Sequence, residues 1–422
     1  MARYPHIPPR VVILSFEGPD RYAMVGGLGV RVSELGTALD EQGVATDLIF
    51  VGDPNLAAIE PRGTSLTLRR WCQWISAHHP LGVYDGEWGK MEDYRNSVPA
   101  FVLDEILRPA AAQGTRVLVM AEDWQVAPAV FTLDRIARES GLRDALTILW
   151  NANNTYGFAT IDFHALAQAA TITCVSRYMK FELAQHGVQA LVIPNGIPER
   201  VFAEASAAGA AYLRRMLGNR HLLLKVGRFD PDKRWLQAID CVADLRAQGV
   251  PVQLVIRGGK EPYGGEVFAR AHARGLVVDD VHLEAPSAES LAGVLANSHA
   301  DVVNVRSFLP DDLLYTLYAA ADAVLANSGK EPFGLVGLEV MASGGVAVCG
   351  STGEDYARAF DNAIVCDTAE PAELASYLER LWSDPGQRER MIESAHATAR
   401  QFVWPSVLDI LDAKLAFVTP LS

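Results

Sequence analysis

The chain has 422 residues, too long for one ordinary core and too short for four, so two or three domains are expected. Hydrophobic residues make up 50% and charged residues 21%, which excludes a disordered chain, a collagen-like chain and a small disulfide scaffold. The 51 acidic and 37 basic side chains leave a net charge of -14, a sign that repels phosphate backbones and anionic lipid.

The N-terminus, Met1 to Arg10, carries no apolar stretch after its charges, so no signal peptide is expected. Val11-Val12-Ile13-Leu14 reads as a first strand, residues 31–41 as a helix, and Thr46 to Val51 as the next strand. Strands follow at 116–120, 146–150, 171–175 and 190–193. The pattern restarts with strands at 222–226, 252–256, 277–283, 323–326 and 346–349, and a helix from about Trp235 to Gln248. This βαβ alternation predicts an α/β fold with parallel sheets covered on both faces. The Ala-rich stretch 205–211 reads as a linker between two Rossmann-like domains facing a central cleft. Five widely spaced cysteines without a C-x-x-C point to a reducing, cytoplasmic setting. No run of 18 apolar residues predicts a membrane span, and the ten histidines form no metal-ligand spacing.

Three segments carry chemistry. Val25-Gly26-Gly27-Leu28-Gly29 is a strand-to-helix turn whose amides can approach a phosphate, although its spacing does not fit G-x-G-x-x-G. A plain tight turn explains the run about as well. Gly227-Arg228 with Lys233 places two cations after a strand, an arrangement suited to a diphosphate; the bland alternative is a charged turn. The D-x-D string Asp230-Pro231-Asp232 is read as a turn, and no metal is assigned. Glu331-Pro332-Phe333-Gly334-Leu335 through Glu339 sets two carboxylates eight residues apart around a Gly/Pro loop that leads into a helix. Carboxylates and exposed amides of this kind bind polyol hydroxyls.

The segment from Glu331 to Glu339 resembles the E-x7-E motif of retaining glycosyltransferases of the starch/glycogen synthase-like and sucrose synthase-like clan, glycosyl transferases group 1. The resemblance runs along almost the whole chain. It takes in Ser15-Phe16-Glu17 to Leu28, Glu122-Asp123-Trp124-Gln125, Pro194-Asn195-Gly196-Ile197, Gly227-Arg228 with Lys233, and a final segment around Phe402-Val403-Trp404. It implies a GT-B fold. The N-terminal acceptor domain would span 1–200 with a returning helix at 402–422, and the nucleotide-sugar donor domain 212–401. It also implies hexose transfer, glucose first, from a nucleotide-diphosphate sugar with retention, and no metal or other cofactor.

Carried over by position, Arg228 and Lys233 hold the diphosphate, and Glu331 with the amides near Phe333, Gly334 and Leu335 holds the sugar. Glu339 holds the ribose, and Gly26 and Gly27 meet the phosphates. The chain departs from the synthase pattern at Met24, where those enzymes have Lys, at Glu122 and Gln125, which replace histidines, and at Trp150 to Asn154, where a histidine is absent. These changes fall on the acceptor side and favour a small sugar or glycoside over glycogen, contacted by some of Asp123, Trp124, Trp150, Asn151 and Asn153. Closure of the core explains those residues equally well. A hydroxyl acceptor and a nucleotide sugar are the expected partners, with no nucleic acid and no integral membrane contact. A catalytically silent nucleotide-sugar-binding protein and a GT-B epimerase are the alternatives.

Overall fold

The computed structural model describes residues 3–350, 353 and 355–419. It divides into two units, Met1–Gly196 with Trp404–Ser422, and Ile197–Val403.

The first unit is built on β1 (Arg10–Ser15), β2 (Ala45–Val51), β3 (Ile59–Arg62), β4 (Leu66–Trp71), β5 (Val117–Glu122), β6 (Leu146–Ala152), β7 (Thr171–Cys174) and β8 (Leu191–Val192). Their order in the sheet is β3-β4-β2-β1-β5-β6-β7-β8. All neighbours are parallel except the β3/β4 pair, and Ile13 of β1 faces Leu48 of β2 on one side and Met120 of β5 on the other. Val11 to Leu14 and Val117 to Ala121 are buried along both faces, which is why these strands read as unbroken apolar runs. The helix Trp404–Val418 belongs to this core: Trp404, Val407, Leu408, Leu411 and Leu415 are buried in the cluster that contains Val32, Leu35 and Leu39. Each buried side chain of that kind contributes about 1.5–3 kcal/mol.

The second unit is built on β9 (His221–Val226), β10 (Val252–Arg257), β11 (Val278–Val281), β12 (Val302–Val305), β13 (Ala323–Ala326), β14 (Ala347–Gly350) and β15 (Ile364–Cys366). They form one parallel sheet in the order β11-β12-β10-β9-β13-β14-β15. Its core packs Leu223, Leu254, Leu325 and Val348 against Trp235, Ile239, Leu374 and Leu378 of the covering helices.

The α/β reading with two Rossmann-like sheets therefore holds. In each sheet the strand order switches direction at the centre, between β1 and β5 and between β9 and β13. Ligands of such sheets bind outside the carboxyl ends of the strands there.

The expected linker is corrected. Residues 207–217 form the helix Ala207–Leu217 inside the second unit, which begins at Ile197. The Ser206 hydroxyl caps that helix by accepting from the Gly209 amide at 3.0 Å. Gly209 marks a close approach rather than a flexible joint: a Cβ there would stand 3.0 Å from Thr316 Cγ2. The returning helix starts at Trp404 and runs to Val418; residues 402 and 403 belong to the second unit, and the end of the expected 402–422 span lies outside the described residues.

Candidate functional site

The second unit gathers its candidate residues at the switch point between β9 and β13. Beyond β9, Gly227 donates its amide to the Arg257 carbonyl, and the exposed Arg228 follows. Arg228 lines a cavity of about 250 Å³ with Val226, Arg257, Phe308, Leu309 and Leu314. The Trp235 indole donates to the Arg228 carbonyl at 2.9 Å and fixes its backbone. A 3-10 turn, Pro231–Lys233, capped by the Asp230 carboxylate, then turns Lys233 back toward β13.

The loop beyond β13 meets this turn twice. The Gly329 amide donates to the Asp232 carbonyl at 2.7 Å, and Lys233 Nζ donates to Glu331 Oε1 at 2.6 Å, each side chain 26% exposed. Burial alone would raise the Glu331 carboxyl, but Lys233, Ser328 and Lys225 hold it below its ordinary range.

Beneath the pair lies Lys225, buried in β9. Its ammonium donates to the Leu325 carbonyl at 3.0 Å and to Asn327 Oδ1 at 2.5 Å, and stands 5.1 Å from the centre of the Trp235 ring. Asn327 donates onward to Gln237 Oε1 at 2.8 Å. Burial, with Lys233 second, lowers the Lys225 pKa to about 7. The sequence reading missed Lys225, although a lysine inside Leu222-Leu223-Leu224-Lys225-Val226 was a visible signal.

The helix Leu335–Ala342 starts at Gly334, whose φ of 78° is the left-handed region that favours glycine. Among the described residues no side chain caps it at Gly334, so its first amides suit an anion or a hydroxyl. Tyr356, also absent from the sequence reading, donates its hydroxyl to the Gly334 carbonyl. Phe333, Tyr356 and Phe402 pack their rings at 5.7–6.0 Å. Glu339 lies on this helix, and its carboxylate adds to burial in raising the Tyr315 and Tyr318 hydroxyls, which places it beside the helix Asp311–Ala320.

In the first unit the candidates gather beyond β1, β5 and β6. The Glu17 carboxylate accepts from the amides of Val25 (3.2 Å), Gly26 (3.0 Å) and Gly29 (3.0 Å) at the start of the helix Gly27–Glu41. Gly26 thus already holds an anion, while a Cβ at Gly26 or Gly27 would meet nothing within 4 Å. Asp123 is buried with φ 78°, an uncommon backbone for a residue with a Cβ. Burial pushes its carboxyl well above the usual range against the pull of the Trp124 amide, and the Glu122 and Glu17 carboxylates add to the rise. Trp124 is half-buried and packs under Gly157.

Three of the acceptor candidates make contacts within the protein. Trp150 is fully buried, and its indole donates to the Asp123 carbonyl at 3.0 Å. Asn151 is buried and donates to Glu122 Oε2 at 2.9 Å while accepting from Thr173 Oγ1. Asn153 donates to the same Glu122 oxygen at 2.8 Å. Strand β6 is buried along its whole length, so its side chains support the site from beneath. Glu122, flanked by Arg31 at 3.0 Å, takes the place of a contact group and acts as an anchor.

Among the described residues no cluster of three or more His, Cys, Asp or Glu side chains is placed to hold a metal ion. Among them also, no helix is long and apolar enough to cross a membrane.

The model of the family "Glycosyl transferases group 1" matches residues 216–398. A D-inositol 3-phosphate glycosyltransferase from Thermomonospora curvata is 32% identical over 216 residues, 48% of this chain and 45% of that protein. The chain thus spans about half the length of the curated relatives it matches. A sucrose-phosphate synthase from Thermosynechococcus elongatus superposes with a TM-score of 0.69 at 18% identity, covering 98% of this chain and 100% of that one. The catalytic domain of starch synthase IV from Arabidopsis thaliana, bound to ADP and acarbose, superposes with a TM-score of 0.67 at 17% identity, covering 97% and 99%. The chain has the GT-B fold, and its residues 216–398 are a glycosyl transferases group 1 domain.

Proposed function

We propose that the chain is a retaining glycosyltransferase that moves a hexose, glucose first, from a nucleotide-diphosphate sugar to the hydroxyl of a small sugar or glycoside. The observation that carries this is the Lys233–Glu331 pair at the β9/β13 switch point of a glycosyl transferases group 1 domain, with Arg228 at the neighbouring cavity. The cavity has apolar walls and two arginines, and takes the nucleoside. Arg228 and Lys233 hold the diphosphate. Glu331 and the amides at Phe333, Gly334 and Leu335 hold the sugar, and Glu339 holds the ribose.

In the reaction the C1–O bond breaks toward an oxocarbenium-like state while negative charge grows on the diphosphate. The two cations and the open amides of the helix Leu335–Ala342 are placed before reaction and act on that charge. Glu331 is engaged by Lys233 and held as a carboxylate, so it accepts hydrogen bonds from the sugar and attacks nothing. The leaving phosphate takes the proton of the acceptor hydroxyl on the same face. Gly27 offers its amide to the donor phosphates, the Gly26 amide being held by Glu17 Oε2, and Asp123 and Trp124 are the acceptor contacts of the first unit. Relatives named for inositol phosphate and sucrose-phosphate chemistry support an acceptor of this size.

The reading is tested by calorimetric titration of UDP, ADP and GDP into the wild-type chain, Arg228→Ala and Lys233→Ala. One nucleotide binds and both variants weaken it about tenfold or more, as loss of a charge-assisted phosphate contact requires. Unchanged affinity in both would remove the site assignment. Binding without turnover of any nucleotide sugar would favour the silent reading.

A further inference from the structure

We propose that Lys90 and Tyr84 are positioning residues for the glycine run Val25 to Gly29, acting through Glu17. The consequence for catalysis rests on the glycosyltransferase reading above; the structural core of the proposal does not.

Lys90 stands in the helix Glu87–Phe101 and is 0% exposed. Its ammonium carries three N–H donors and faces four oxygens: Tyr22 Oη at 2.7 Å, and the carbonyls of Gly82 at 3.1 Å, Val83 at 3.0 Å and Asp85 at 2.6 Å. Two loops meet there. One runs on from β1 and carries Glu17, Tyr22 and the glycines; the other precedes Lys90 and carries Tyr84. The Val83 amide donates to the Tyr22 carbonyl at 3.1 Å, so the loops are also joined directly.

From the second loop the Tyr84 hydroxyl donates to Glu17 Oε1. The other oxygen of the same carboxylate receives the amides of Val25, Gly26 and Gly29. Burial, with the Glu17 charge second, pushes the Tyr84 hydroxyl far up, so it stays a donor. The result is a chain of contacts from a buried ammonium to a strand-to-helix turn. It orients the start of the helix Gly27–Glu41 without using the Gly27 amide, which among the described residues has no hydrogen bond to Glu17. A buried lysine directed at carbonyls is costly to desolvate, and a methionine would pack as well if filling space were its whole task. Its four oxygen contacts indicate that loop geometry is what it secures.

The test uses the whole chain without nucleotide. Amide hydrogen exchange is followed over residues 24–30 in the wild type, Tyr84→Phe and Lys90→Met. Tyr84→Phe removes one hydroxyl from a half-exposed ring and keeps the packing, so it stays informative where Lys90→Met fails to fold. Exchange at Val25, Gly26 and Gly29 rises about tenfold in Tyr84→Phe, the scale of one hydrogen bond to a charged group, with the rest of the unit unchanged. Donor KM then rises more than kcat falls, because the altered loop weakens phosphate contact in ground and transition states alike. Unchanged exchange at those amides overturns the proposal, and so does a uniform rise across the first unit that only tracks a lower Tm. If the wild type turns over no nucleotide sugar, the functional reading fails while the exchange result still judges this one.

Discussion

Lys233 and Glu331, 98 residues apart in the sequence, meet at 2.6 Å between the loops that follow β9 and β13. Each side chain is 26% exposed, so the pair contributes about 0–1 kcal/mol to stability. Its role is to set a cation and a carboxylate where a diphosphate meets a sugar. Lys233→Ala and Glu331→Gln are therefore expected to leave Tm within a few degrees and to lower kcat/KM by about 10²–10³. Steady-state kinetics and a thermal melt on the same samples check this. The double variant should fall short of the product of the single losses, because the two groups act as one unit.

Lys225 gives the second prediction. Its folded pKa of about 7 lies below that of a free lysine, so between that pH and about 10.4 the unfolded chain binds the extra proton. Stability linked to Lys225 therefore rises with pH across this window and is lost as pH falls to about 7. Lys225→Met removes the linkage. The wild type should gain on the variant from pH 7 to pH 10 in chemical denaturation; a constant difference would contradict the buried, depressed lysine.

Gly337 gives the third. A Cβ there would stand 2.4 Å from the Tyr356 hydroxyl and 3.1 Å from its ring. Gly337→Ala should cost about 1–3 kcal/mol by overpacking. Adding Tyr356→Phe removes the nearest clashing atom and should recover part of that loss. Denaturant melts of the two single variants and the double check the coupling.

Trp150 and Trp124 separate core from contact. Trp150→Ala should destabilise by about 3–5 kcal/mol, since the ring is fully buried. Trp124→Ala should change acceptor KM with a smaller loss of stability. Equal effects of both on Tm alone would remove Trp124 from the acceptor side.

The central strands were legible because strands buried on both faces are mostly apolar: Val11 to Leu14 and Leu222 to Leu224 are such runs. The edge was not: β3 is Ile-Glu-Pro-Arg, mostly exposed and too polar to read as a strand. The linker misled because Ala and Gly are small both in flexible joints and where two helices touch, and Gly209 serves the second purpose. The resemblance to the glycosyltransferase clan implied that Lys233, Glu331 and Glu339 serve one site. Sequence could not show that Asn151 and Asn153 turn to Glu122, since a side-chain amide looks the same whether it faces a ligand or a buried carboxylate. Glu17, Tyr84 and Lys90 come together from three separate segments, and no local pattern records that meeting.

The most direct test of the central claim is NMR analysis of the product formed from the best-bound α-linked nucleotide sugar and a set of small sugar acceptors. A new glycoside with the donor's α configuration at C1 is expected, formed about 10²–10³ times more slowly with Lys233→Ala. A β-linked product, or a donor recovered intact with every acceptor, would contradict it.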